Sequence, residues 1–145
     1  MTKTSLSVIE RDNVANLPPT FSSLFSISAD AKTSKGEKYG YLTAIQYLAP
    51  ANVSGIVNLC KWASEGCMLA CLNTAGRASF DDNISKARIN RTIWYVRFKP
   101  LYWARLVKEI KSLIRKANRM GLTPVIRLNG TSDQPFERIK IQGTE

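Results

Sequence analysis

Pro100-Leu-Tyr-Trp-Ala-Arg-Leu-Val-Lys-Glu-Ile-Lys-Ser-Leu-Ile-Arg-Lys-Ala-Asn-Arg-Met120-Gly-Leu-Thr-Pro-Val-Ile-Arg-Leu-Asn129 is the stretch whose reading decides the fold. Trp103, Leu106, Val107, Ile110, Leu113, Ile114 and Ala117 recur at helical spacing, with Lys108, Lys111, Arg115 and Lys116 on the other face. Pro100 suits a first turn and Gly121 an end, so the spacing predicts a helix over 100–120. After a two-residue link, residues 123–129 read as a strand. Such short links belong to α/β units with parallel strands.

At the carboxyl end of that strand lies Asn129-Gly-Thr-Ser-Asp133, where α/β sheets bind their ligands. A turn alone needs only Asn129-Gly130. The extra polar groups fit an organic ligand: Arg127 carries a fork of donors for a carboxylate or phosphate, Asn129 a donor and an acceptor, Ser132 a hydroxyl, and Asp133 an acceptor for a hydroxyl or ammonium. The plain structural alternative has Asp133 capping the next helix and Arg127 pairing with a surface acid.

Working outward, Asp81-Asp82 makes a helix start with its negative charge at the favourable end, and that helix runs to about Val96. Earlier still, 20–28 and 40–48 read as strands, the second presenting Tyr41, Thr43, Ile45 and Tyr47 on one face and Leu42, Ala44, Gln46 and Leu48 on the other. The polar stretch 30–38 between them suits a hairpin loop. Leu17-Pro18-Pro19 keeps residues 1–19 a loose segment, and Gln134-Pro-Phe-Glu-Arg-Ile begins another helix or turn. The 145 residues, 44% of them hydrophobic, suffice for one domain with a core. A complete barrel needs about 250 residues. The fold class is therefore α/β or α+β: a small sheet packed on two helices, as a partial barrel or a truncated α/β domain.

All the cysteine of the chain falls in twelve positions, as Cys60, Cys67 and Cys71. Cys67 and Cys71 stand at i and i+4 and share a face if the run between them is helical. A structural zinc site normally has four Cys or His ligands and this chain has no histidine, so Glu65, Asp81 or Asp82 would have to supply the fourth ligand. An iron–sulfur cluster held by three cysteines keeps one iron open to a small molecule, and three Cys without His leans that way. Buried structural thiols, or one disulfide with an odd thiol, are the alternatives.

The net charge of +10 is concentrated between Lys86 and Arg119, which holds eleven Lys or Arg and one acid, Glu109; the rest of the chain is balanced. That block points to an anionic partner, nucleic acid first and an anionic small molecule second, met by Lys86, Arg88, Arg91, Lys108, Lys111, Arg115 and Lys116. A solvated helical face is the alternative. Trp94, Tyr95, Phe98, Tyr102 and Trp103 suit base stacking or, more in keeping with aromatic packing, the core. No run reaches membrane-span length and no secretory signal follows Met1, which leads to the expectation of no membrane partner and a reducing cytosol, where disulfides are rare.

Lys35-Gly-Glu-Lys-Tyr-Gly-Tyr-Leu-Thr-Ala44, Asn58-Leu-Cys60, Gly66-Cys67, Cys71-Leu-Asn-Thr-Ala-Gly-Arg77, Lys86-Ala-Arg88, Arg91-Thr92 and Arg127-Leu-Asn-Gly-Thr-Ser-Asp133 together resemble a bacteriophage family named for gene product 88, over about residues 30 to 140. The resemblance implies a phage origin and the host bacterial cytoplasm, without a particular activity. It also leads to the expectation of a shortened version of a longer phage protein or a split reading frame, since relatives continue with further strands. The cysteines are more distantly similar to those of radical S-adenosylmethionine enzymes, which bind a four-iron cluster and S-adenosylmethionine. Here the intervals are six and three residues where that superfamily has three and two, and Ala70 stands where an aromatic residue is usual.

Two functional classes follow. One is an enzyme or enzyme remnant whose cysteines hold an iron–sulfur cluster beside an organic ligand on the Asn129 to Asp133 loop. The other is a non-catalytic nucleic-acid-binding phage protein with structural cysteines or zinc. The first requires the loop and the thiols to face one cleft, with Arg77, Lys86, Arg88 and Arg91 closing it.

Overall fold

The computed structural model describes residues 23–28, 31–75 and 79–138. Its elements in chain order are β1 (Phe25–Ile27), α1 (Ala31–Glu37), β2 (Tyr41–Gln46), α2 (Glu65–Leu69), a 3-10 turn (Leu72–Thr74), α3 (Asp82–Arg97), α4 (Lys99–Met120), β3 (Thr123–Arg127) and a second 3-10 turn (Phe136–Arg138). The three strands form one open sheet in the order β1-β2-β3, with β1 antiparallel and β3 parallel to β2. The architecture is α+β, and the sheet does not close into a barrel.

The end of α4 sets the sheet. Gly121 takes a left-handed conformation, φ 67°, and the Leu122 amide donates back to the Ala117 carbonyl at 2.9 Å, the pattern by which glycine ends a helix. The chain reverses there, and the Thr123 amide donates to the Gly40 carbonyl at 2.8 Å, which fixes the parallel register Tyr41↔Thr123 through Ile45↔Arg127. Pro124 is accommodated because β3 is an edge strand. The burial of β3 is only partial, with Thr123, Val125 and Arg127 exposed, so the strand is less buried than its apolar run predicts.

Period-two alternation makes one face of β2 the core: Leu42, Ala44, Gln46 and Leu48 are all buried. Opposite them α4 presents Tyr102, Leu106, Leu113 and Ala117. Val107 and Ile114, which the helical periodicity also assigned to the apolar stripe, are exposed, because a narrow three-stranded sheet covers only part of the helix circumference. The aromatic residues join the core, with Tyr95 5.3 Å from Tyr102 and 6.0 Å from Phe136, ring edge to ring face. That packing removes them from base stacking.

α3 starts as the sequence predicts, with the Asp81 carboxylate accepting from the Asn83 amide at 2.9 Å. The stretch between the antiparallel strands is a correction. Instead of a plain hairpin loop it contains α1, which packs on β2 so closely that a Cβ on Gly36 would come within 3.0 Å of the Thr43 hydroxyl.

The polar tie between β1 and α4 is Glu109. Its carboxylate accepts from the Ser23 hydroxyl at 2.7 Å and from the Leu24 and Phe25 amides at 2.9 and 3.3 Å, and Arg105 holds it from one turn away at 2.7 Å. Glu109→Ala leaves those donors unmet and is expected to remove about 2–3 kcal/mol, since hydrogen bonds to a charged acceptor are the stronger class. Tyr102→Phe should be neutral or stabilising, because the buried Tyr102 hydroxyl has no hydrogen-bond partner. Burial also pushes the Tyr102 phenol well above its ordinary value. The unfolded chain ionises near pH 10 while the folded one stays neutral, so stability is complete below about pH 10 and falls as pH rises beyond it. Melting temperatures measured from pH 7 to pH 11 should therefore fall less steeply in Tyr102→Phe than in the wild type.

Candidate functional site

Beyond Gln46 the chain runs through buried Leu48, Ala49 and Pro50 into turns that bring Leu59 back, its amide donating to the Ala51 carbonyl at 3.2 Å. The Leu59 carbonyl is the hinge of the site. It accepts from the Asp133 amide at 3.1 Å and the Gln134 side-chain amide at 3.0 Å, so the residue next to Cys60 is tied to the loop after β3. The Asn58 side chain in turn accepts from the Cys60 amide at 2.8 Å.

The loop is held just as firmly on its other side. The Gly130 amide donates to the Gln46 carbonyl at 2.9 Å and the Thr131 hydroxyl to the Leu48 carbonyl at 2.6 Å. Gly130 is needed for that approach, since a Cβ there would lie 2.6 Å from the Gln46 oxygen and from the Tyr47 ring. Asn129 clamps the loop from inside: its side-chain amide donates to the Gln134 carbonyl at 2.8 Å, and its oxygen accepts from the Gln134 amide and the Ser132 hydroxyl. Arg127 donates through Nε to the Asn129 carbonyl at 2.9 Å. Arg127 and Asp133 are exposed, whereas Ser132 is buried. The Asp133 side chain caps no helix among the described residues.

The cysteine segment makes the facing wall. Ser64 caps α2, its hydroxyl accepting from the Cys67 amide at 3.2 Å, and no residue of this five-residue helix is buried. The expected i, i+4 pairing of Cys67 and Cys71 on one helix is corrected here: α2 ends at Leu69, and Cys71 is extended and caps the following 3-10 turn, its sulfur accepting from the Asn73 amide at 3.5 Å. Cys60, Cys67 and Cys71 nonetheless line one cleft of about 590 Å³ with Arg127, Asn129, Ser132 and Asp133. Two segments some sixty residues apart in sequence therefore share it, whereas Lys86, Arg88 and Arg91, expected to close it, are not among the residues that line it.

All three cysteines are free thiols. Among the described residues no three Cys, Asp or Glu side chains are gathered closely enough to hold a metal ion. Asp81 is engaged in capping α3, and neither Asp82 nor Glu65 is part of the cleft wall, so none stands as a fourth ligand.

The basic residues separate into three groups. Arg77 lies outside the described residues. Lys86, Lys108, Lys111, Arg115 and Lys116 are exposed. Arg88 is buried, reaching the Asn73 side-chain oxygen at 2.6 Å and its carbonyl at 3.3 Å, with its guanidinium 5.1 Å from the Tyr47 ring centre. Burial holds Arg88 below the ordinary arginine range, offset in part by Tyr47 and Cys71. Arg91 is likewise lowered by burial and donates to the Ser23 carbonyl at 3.1 Å. These two charges act inside the fold and not on an open face.

The chain of contacts Cys71 to Asn73 to Arg88 was not visible in the sequence, where Arg88 counts only as charge. Asn73, two residues after Cys71, is its one local signal. Trp62 also lines the cleft, and no periodicity in the sequence marks it.

The family described as Gene product 88, a phage gene-product family, matches residues 10–142, and the chain belongs to it. No curated protein and no solved structure matches the chain. The likeness of the cysteine spacing to radical S-adenosylmethionine enzymes finds no support in these comparisons.

Thiol labelling tests the two walls. Exposed Cys67 should react first in the native protein, ahead of the half-buried Cys60 and Cys71. Gly130→Ala should lower the melting temperature through about 1–3 kcal/mol of overpacking and speed the labelling of Cys60, because the loop that holds Leu59 is pushed away.

Proposed function

We propose that this member of the Gene product 88 family binds a small polar ligand in the cleft beside a thiolate-held metal centre, an iron–sulfur cluster ahead of zinc. The observation that carries the reading is the shared cleft: all three thiols of the chain stand on one wall, and a polar strand-end loop stands on the other. A chain using cysteine only for packing would have no reason to leave Cys67 exposed there.

The donor set favours the cluster. Thiolates are soft ligands, histidine is absent, and three cysteines leave one iron of a four-iron cluster free for a ligand. Bringing the thiols together requires α2 to move. That shift is cheap, because α2 buries nothing and Leu69 beside Cys67 is 86% exposed. Metal binding would then order the segment, as it does wherever a site is incomplete before its metal arrives.

Two groups remain open to the ligand. Arg127 uses only Nε internally, which leaves the terminal nitrogens for a carboxylate or phosphate, and the Asp133 carboxylate suits an ammonium or hydroxyl. Asn129 and Ser132 position the wall and do not reach out from it. The matching ligand is a small molecule carrying both an anionic group and an amine or hydroxyl. We place the protein in the host bacterial cytoplasm, where reducing conditions keep the thiols available.

Protein purified without oxygen should contain iron and sulfide and absorb broadly in the visible range; bound zinc without colour would select the zinc form. Cys60→Ser, Cys67→Ser and Cys71→Ser should each lower the metal content sharply, since each removes one of only three thiolates. Wild-type protein that is free of metal, takes up none on reconstitution with iron and sulfide or with zinc, and melts unchanged after chelation would overturn the metal centre. Arg127→Gln and Asp133→Asn should leave the metal in place.

A further inference from the structure

A second groove runs along α4, within the segment that carries the excess positive charge. α4 carries seven Lys or Arg and a single acid, Glu109, whose oxygens are occupied by β1 and by Arg105. Lys108, Lys116 and Arg119 have no carboxylate partner among the described residues. A solvated helix normally relieves such a row with glutamates one turn away. Here Lys111, Arg115 and Arg119 follow one another at i, i+4, an arrangement that destabilises a helix left to itself.

The row also has a shape. Arg105, Lys108, Ser112, Lys116 and Arg119 recur at intervals of three and four residues, so they form one ridge, about 21 Å long at about 1.5 Å per residue. That ridge is one bank of a groove of about 430 Å³, and Ser23, Phe25 and Ile27 of the β1 edge form the other. Phe25 and Leu113 beneath it are buried, so its floor presents no aromatic platform for bases, while half-buried Ile27 adds an apolar contact on the β1 side.

We infer that this groove binds the sugar–phosphate backbone of a single-stranded nucleic acid, with Lys108, Lys116 and Arg119 as the phosphate contacts and Ser112 as a hydroxyl donor between them. A single file of cations in a channel matches the single file of phosphates on one strand. The β1 side walls one flank of the ridge, which suits one strand laid along the groove better than the two strands of a duplex. Contacts limited to phosphate make the binding independent of sequence. The site is separate from the cysteine cleft and stands or falls independently of it.

The test is fluorescence anisotropy of the full chain with labelled oligothymidylate, and with oligouridylate as the RNA form of the same backbone, over a range of salt. Three phosphate contacts predict a slope of log K against log salt of about −2. Lys108→Gln/Lys116→Gln should flatten that slope by about 1.4. Lys111→Gln/Arg115→Gln removes equal charge from the same helix outside the groove and should flatten it by less than half as much. Both double variants should melt at or above the wild type, since like charges are removed, and Arg119→Gln alone gives an independent check on the groove. The inference is overturned by absence of binding at low salt, by equal effects of the two double variants, by tighter binding of a duplex of the same length, or by polyglutamate competing as well as oligothymidylate.

Discussion

The Glu109 carboxylate accepts from the Leu24 and Phe25 amides at the entry to β1 while Arg105 steadies it from its own helix, and the geometry of the rest depends on that junction. β1 has only three residues and one neighbouring strand, too little to hold an edge by ladder bonds alone. Fixing it to α4 aligns the helix over β2, which puts Tyr102, Leu106 and Leu113 against the buried face of the strand. The same bond neutralises the one acid on α4, so that the cations around it face outward without relief. One carboxylate thus sets both the packing of the core and the electrostatic character of the surface above it.

The interior so formed is not purely apolar. Both side-chain atoms of Gln46, the Tyr102 hydroxyl and the Arg88 Nε are buried without a hydrogen-bond partner. Each such atom works against folding by about 1–3 kcal/mol. Gln46 is also the residue whose carbonyl receives the Gly130 amide, so the least satisfied position of the core lies directly under the loop of the candidate site. The satisfied part of the same region is Thr92, which accepts from the Ala49 amide and donates to the Arg88 carbonyl, joining α3 to the end of β2.

What the sequence made legible was whatever depends on local period and caps. The 3.6-residue repeat of α4, the Asp81 start of α3, the Gly121 stop and the parallel placement of β3 all follow from neighbours in the chain. The missed features depend on partners far away. α1 forms in a stretch that reads as a loop because β2 supplies its packing. Val107 and Ile114 are exposed because the sheet is narrow, which no periodicity reports. Arg88 and Arg91 counted as surface charge, yet Asn73 and the Ser23 carbonyl draw them inward. At the cleft, the residue types of the loop were legible as a polar group, but the division of labour within it was not. Asn129 turned out to brace the loop, and only Arg127 and Asp133 remain outward, because hydrogen-bond saturation is a property of the folded backbone.

The parallel pairing of β2 with β3 spans residues 47 to 122, the whole of the cysteine segment, α3 and α4. Loop closure over that distance is entropically late, and contacts of such high sequence separation slow the approach to the native state. The two walls of the cleft hang from opposite ends of that connection, one leaving β2 and the other leaving β3. The cleft is complete only once β2 and β3 have paired, so the thiols lack their facing wall for as long as the sheet is incomplete.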